Sequence, residues 1–322
     1  MFQYKILITR QRQLTSFQNV LEERSFKSTS LIIKLLEANS RFLVIARATA
    51  EEVIKRDEDD NAELGLGITE SINAGIIKTV LNNPPYTKVL AGLRTPEEIA
   101  GEILSKCDLL AAENNLILLY GASGTGKGTA VAALSSIVPN SIAWSNGSVF
   151  RSLAFLAIQW HKEQHIDFNP ASLSMDLVNK LAKSLSYEKN KEDIFDIRIH
   201  CGDIDYWVGD VKNTILNSAE VSKNTPAVAR YAQGVVIYFA LEAIGKLKQA
   251  GYVVILEGRK ATLDCFPGIN RFELVLKDPL LIGKRRAAQR ILPRFLETIK
   301  EQSLNDDELK SALEIFVRDD QP

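Results

Sequence analysis

Cysteine is scarce in this 322-residue chain: Cys107, Cys201 and Cys265 are an odd set, widely spaced, with no CxxC pair. That excludes a disulfide framework and a thiolate zinc site, and it suits buried, reduced thiols. A surplus of either charge is also missing. Thirty-nine Lys+Arg stand against forty Asp+Glu, a net charge of -1, so the basic footprint of a nucleic-acid binder is absent. No unbroken apolar run reaches the roughly 18 residues that span a bilayer. Met1 to Arg12 has no small-residue cleavage site after a hydrophobic core, and no secretory signal is read there. Disorder is excluded as well, because 46% of the residues are hydrophobic. The expectation is a cytoplasmic protein of ordinary globular composition, with neither nucleic acid nor a membrane as partner. At about 150 residues per domain, it should have roughly two domains.

Metal-ligating patterns are equally sparse. His161 and His165 stand four apart on an expected helix, but Lys162 occupies the position where an HExxH site needs Glu. A solvated helix end fits better, and no direct protein ligand to a metal is expected. Asp57-Glu58-Asp59-Asp60 lacks EF-hand spacing and its glycine, and reads as a solvated turn. Tyr4–Thr9 and Arg41–Ala46 have strand length, whereas Ser30–Leu36 looks helical. Asn82-Asn83-Pro84-Pro85 breaks the chain. No chemical motif stands out before residue 115. Residues 1–93 are therefore expected to form a smaller α/β or mainly helical N-terminal domain, of a kind that could contact a protein partner.

Residues 94–322 alternate strands with helices. Thr95-Pro96-Glu97-Glu98 supplies an N-cap hydroxyl, Pro at the first helical position and Glu three after the cap, which together start a helix. Ile99, Ile103, Cys107 and Leu110 continue it at helical spacing. Leu116–Tyr120, Tyr252–Leu256 and Phe272–Leu276 are apolar runs of the buried-strand type, and Ser141–Trp144 is a further strand. Helices are expected over Gly126–Val138, about Ser148–Gln164, and Val228–Gln249, the last closed by Gly251. Such alternation gives a parallel α/β sheet with ligands at the carboxyl ends of its strands.

Gly121-Ala122-Ser123-Gly124-Thr125-Gly126-Lys127-Gly128-Thr129 lies between the first strand and helix of that series. Glycines at 121, 124 and 126 let successive amides turn inward around a polyphosphate, and the helix adds its positive end. Lys127 can reach the β- and γ-phosphates. Gly128 stands where the general pattern has Ser or Thr, and Thr129 supplies the hydroxyl one residue later. The loop is read as a nucleotide site.

From this loop onward, residues 116–320 resemble the bacterial-type cytidylate kinase family. Gly121 to Thr129 match its GPSGAGKGT-like loop, and Asn146-Gly147-Ser148-Val149-Phe150-Arg151 match an SGAxYR-like segment. The match continues through Ile166-Asp167, Phe195-Asp196-Ile197, Glu220-Val221-Ser222 and Val228-Ala229. Glu257-Gly258-Arg259-Lys260 answers to a DGRD-like turn, and Lys284-Arg285-Arg286 to the Arg pair of a lid helix. The resemblance implies a P-loop nucleoside monophosphate kinase-like domain over residues 94–322, with ATP and Mg2+ as cofactors. It also implies phosphoryl transfer to a nucleoside monophosphate. Gly121 to Thr129 would bind ATP, and Lys127, Arg259, Arg285 and Arg286 would be catalytic. Asn146, Arg151, Arg259 and Lys260 would meet the acceptor, and Glu257 and Thr129 would hold magnesium through water.

The departures from the family lie in the acceptor half. Where it reads cytosine with Ser, Arg and Asp, this chain has Asn146, Val235 and Lys260. Its ending, Arg318-Asp319-Asp320-Gln321-Pro322, stops where the family continues with sugar- and phosphate-binding residues. CMP and dCMP are therefore expected to be poor acceptors. Two other readings stay open: a catalytically impaired, nucleotide-binding regulatory module, and a P-loop kinase of another small molecule.

Overall fold

The computed structural model describes residues 16–77, 83–92, 94–109, 114–300, 302 and 304–319. Its strands are β1 (Thr87–Leu90), β2 (Leu116–Gly121), β3 (Ser141–Ser145), β4 (Leu185–Lys189), β5 (Phe195–Cys201), β6 (Ile204–Trp207), β7 (Val253–Gly258) and β8 (Asn270–Val275). The first six helices are α1 (Ser16–Glu22), α2 (Phe26–Leu35), α3 (Ser40–Asn73), α4 (Pro96–Ser105), α5 (Lys127–Ile137) and α6 (Asn146–Glu163). Six more follow: α7 (Met175–Ala182), α8 (Val208–Val211), α9 (Ala219–Gln249), α10 (Lys260–Leu263), α11 (Leu280–Thr298) and α12 (Asp306–Asp319). The Tyr4–Thr9 run, Asn82, Leu110 and residues 320–322 lie outside the described residues.

Two compact units divide the chain: Arg56–Val275, and Met1–Lys55 together with Leu276–Pro322. This is not the division expected near residue 93. β1 pairs in parallel with β8, Thr87 opposite Phe272, so residues ahead of 93 complete the main sheet. The last two helices in turn group with the first residues of the chain.

The larger unit is built on a five-stranded sheet of order β1-β8-β2-β7-β3, parallel throughout. Strands of a parallel sheet are covered on both faces, so their sequences read as continuous apolar runs. Ile117, Leu118, Leu119, Val254, Ile255 and Leu256 are fully buried accordingly. A separate antiparallel sheet, β4-β5-β6, follows α7. The Thr95 cap forms as expected: Thr95 Oγ1 accepts from the Glu98 amide while the Glu98 carboxylate accepts from the Thr95 amide. Arg271 on β8 is wholly buried, donating to Asp264 Oδ1 at 2.9 Å and to the Phe266 carbonyl at 2.9 Å. Its guanidinium also lies 4.3 Å from the centre of the Tyr86 ring.

Several local expectations are corrected. Arg41–Ala46 is not a strand but part of α3. Phe42, Ala46, Ala50 and Val53 recur at helical spacing and are buried, whereas the intervening Val44 is 54% exposed. Asp57–Asp60 is not a turn but the interior of the same helix. α9 starts at Ala219, well before the expected Val228, with Ser218 Oγ accepting from the Val221 amide. Pro226 lies inside α9; it forgoes one backbone bond, and burial of Val221 and Val228 on either side holds the helix together. By length and hydropathy α9 would qualify to cross a membrane, yet half of its most apolar stretch is buried in this fold. His161 is not solvated. It is buried, with Nδ1 2.7 Å from the Ala157 carbonyl and Nε2 2.6 Å from Ser172 Oγ. The three thiols are unpaired, and burial pushes Cys107 up to about 12 and Cys265 up to about 11.

In the smaller unit, Leu21, Ile32, Leu36 and Phe42 share a core with Ile291, Phe295, Leu309 and Leu313. α1 and α12 are tied by the Phe17 amide, which donates to Asp306 Oδ1 at 3.1 Å. Exposed Arg290 and Glu52 form a two-pronged pair at 2.7 and 2.8 Å, which contributes little in water. α11 packs closely on α3 at Gly283, where a Cβ would overlap the Ala46 carbonyl. Gly283→Ala is expected to lower stability by about 1–3 kcal/mol through overpacking. Gly245→Ala, in open space on α9, should instead be neutral or gain up to about 1 kcal/mol. Urea unfolding of the two variants checks both signs.

Candidate functional site

The carboxyl ends of three neighbouring strands meet at one place. Tyr120 of β2 is opposite Gly258 of β7, and Ser145 of β3 is opposite Glu257. Each strand then hands the chain to a functional segment. β2 runs into the glycine-rich loop and α5, β3 into α6, and β7 into Arg259 and α10. A cleft of about 290 Å³ opens there, lined among others by Ser123, Lys127, Asn146, Glu257 and Arg259.

The glycine-rich loop holds its shape through its own backbone. Gly124 and Gly126 take left-handed φ angles of 81° and 97°, a region that disfavours residues with a Cβ. Buried Thr125 donates from Oγ1 to the Ala122 carbonyl at 2.8 Å. Lys127 Nζ donates to the carbonyls of Gly121 at 2.7 Å and Ala122 at 3.2 Å, which lays its ammonium across the loop. Thr129 Oγ1 donates to the Gly126 carbonyl at 2.8 Å, in the first turn of α5.

The strongest contact at the site comes from a residue that sequence reasoning missed. Asp57 of α3 accepts from the Ser123 amide at 2.6 Å and from Ser123 Oγ at 2.7 Å. The same carboxylate accepts from Arg259 Nη2 at 2.9 Å, and Asp60, one helical turn along, meets that nitrogen at 3.2 Å. The Asp57 side chain is 10% exposed and that of Arg259 is 25% exposed. Burial by itself would raise the Asp57 pKa. The hydrogen bonds from Arg259 and Ser123, together with the Arg259 charge, outweigh it and hold the carboxyl far below the usual carboxylate range.

The other expected site residues divide. Asn146 is buried beside the cleft, where its Oδ1 accepts from the Trp144 indole N–H at 2.8 Å, leaving its amide nitrogen as the group it can present. Arg151 folds back toward Gly147 at the start of α6. Lys260 turns away: Nζ pairs with Asp264 at 2.6 Å and lies 5.5 Å above the Tyr86 ring. Val235 packs half-buried against the core. Arg285 and Arg286 belong to α11 in the smaller unit. There Arg285 is buried, with its guanidinium 5.9 Å from the Phe26 ring, and Arg286 donates to Gln289 at 3.1 Å. Of the side chains expected near one ligand, Lys127, Asn146, Glu257 and Arg259 line the cleft, with Arg151 alongside.

Comparison with protein-family models, curated proteins and solved structures finds no match to this chain. The site's chemistry therefore has to be argued from its own groups. Lys127, Arg259 and the start of α5 bring positive charge to one cleft, where each favours an anion, and Glu257 adds one carboxylate to the same lining.

The Asp57 contacts give a stability prediction. Asp57→Ala should cost about 1–3 kcal/mol at neutral pH, because it leaves the Ser123 amide without its acceptor and Arg259 with only the exposed Asp60 carboxylate. The folded-state pKa of Asp57 lies below the unfolded value of about 3.9. Its contribution is therefore present in full above that pH and is lost as the pH falls through the folded value. Denaturant unfolding of wild type and variant from pH 7 downward should show a gap that narrows below about pH 4.

Proposed function

We propose that the unit Arg56–Val275 is a P-loop nucleotide-binding domain that transfers a phosphoryl group from ATP to a nucleoside monophosphate. The reading follows the resemblance to the cytidylate kinases over the residues that carry it. One observation supports it above the rest: β2, β7 and β3 bring Lys127, Glu257, Arg259 and Asn146 around one cleft.

Phosphoryl transfer asks the protein mainly to position two anions and to neutralise charge between them. The amides after Gly121 and the start of α5 would hold the donor phosphates, and Lys127 would swing from the loop carbonyls onto the outer ones. Arg259 and Arg151 carry planar forks suited to the acceptor phosphate. Glu257, half-buried at the end of β7, and Thr129 fit a magnesium ion held through water, and such an ion would supply further neutralisation of the phosphate oxygens. With Lys260 committed to Asp264, the base-facing polar group left is Asn146, which favours an acceptor other than CMP.

A second reading, a nucleotide-binding regulatory module without transfer, is favoured by the Asp57 carboxylate lying on the loop and on Arg259. Two measurements separate the readings. Mg-ATP should raise the thermal midpoint, by about 2.7 kcal/mol of stabilisation at 100 times the dissociation constant, and Lys127→Ala should remove most of that shift. A panel of nucleoside monophosphates with ATP should then show turnover for at least one acceptor, with CMP weak. No shift at millimolar ATP overturns nucleotide binding, whereas a shift without any turnover leaves the regulatory module.

A further inference from the structure

We propose that Asp57 is an internal surrogate for a phosphate group, and that it holds the glycine-rich loop and Arg259 in a self-blocked arrangement which a nucleotide must displace. The inference rests on the nucleotide-binding reading above and concerns how that site is regulated.

A carboxylate and a phosphate oxygen ask for the same partners, namely backbone N–H groups and guanidinium forks. Asp57 takes the Ser123 amide and hydroxyl with its two oxygens, and adds Arg259 on Oδ1. Ser123 lies inside the loop and Arg259 at the end of the neighbouring strand, so these are two of the groups a bound phosphate would use. An amide hydrogen directed at Asp57 is not directed at a ligand. Two anions on one guanidinium would also repel each other, and Asp60 already places a second carboxylate at 3.2 Å.

The chain also offers Asp57 somewhere to go. Arg56 Nη2 lies 3.9 Å from Asp57 Oδ1, on a side chain that is 49% exposed. A rotation of the carboxylate toward Arg56 would keep it paired at the edge of solvent while freeing the Ser123 amide and Arg259. Displacement of Asp57 from Ser123 and Arg259 defines a second, open state of the site. The nucleotide binds the open one, and its apparent affinity is reduced by the fraction of molecules in which that state is populated.

The test is a calorimetric titration of the full chain with Mg-ATP and with pyrophosphate, using wild type, Asp57→Asn and Lys127→Ala. Asp57→Asn should bind both ligands about 10- to 100-fold more tightly than wild type, the range set by losing charge-assisted hydrogen bonds. Pyrophosphate should gain about as much as ATP, because the competition is for phosphate. If wild type binds ATP, Lys127→Ala abolishes binding and Asp57→Asn binds no more tightly, the surrogate role is overturned while nucleotide binding stands. If neither wild type nor Asp57→Asn binds either ligand, both readings fail together. Should Asp57→Asn not fold, Ser123→Ala provides the test, since it removes the hydroxyl that holds Asp57 Oδ1 and keeps the loop amide. A gain of about twofold or more then supports the inference, and no gain overturns it.

Discussion

One carboxylate ties the candidate site together. Asp57 reaches from α3 to the glycine-rich loop and to the residue that follows β7, joining segments 66 and 202 residues away in the chain. Each of those segments has its own local reason to exist: a left-handed pair of glycines, a buried apolar strand. The pairing of β2 with β7 sets the loop beside Arg259 but leaves α3 unplaced. The ion pair with Arg259 and the two bonds to Ser123 fasten α3 to both. Burial alone would raise the Asp57 pKa, and the strong depression follows from the number of its partners.

How much of this could be read from the sequence depended on range. The loop was legible because its signals are consecutive: glycines, a lysine and a hydroxyl between an apolar strand and a helix. The Thr95 cap and the runs that become β2, β7 and β8 were legible for the same reason, since burial on both faces of a parallel sheet writes itself as an unbroken apolar run. α3 was not. Phe42, Leu43, Val44 and Ile45 form a contiguous run that hides the helical period of Phe42, Ala46, Ala50 and Val53, and only the buried set discloses it. Asp57 sits in a stretch of four acids in which no single residue is marked. The one hint was that its position continues the spacing of Ala46, Ala50 and Val53 along the buried side of the helix.

The division of the chain was hidden for a similar reason. A boundary drawn where motifs begin, near residue 93, follows the chemistry and not the packing. β1 supplies a sheet edge that β8 needs, and the core formed by Ile32, Leu36, Phe295 and Leu313 recruits both ends of the chain. The Arg pair on α11 illustrates the consequence. The family resemblance matched it to a lid, whereas Arg285 is buried in the smaller unit against Phe26. Lys260 shows the same effect at short range, because Asp264 lies one helical turn away and claims its ammonium. What a side chain can do at a site is limited first by which nearer partner it already has.

The most direct measurement is a crystal structure of the full chain with magnesium and a non-hydrolysable ATP analogue. The expected result has phosphate oxygens on the Ser123 amide and on Arg259, with the Asp57 carboxylate turned away toward Arg56. Nucleotide phosphates bound in the cleft while Asp57 keeps its bonds to both Ser123 and Arg259 would contradict it.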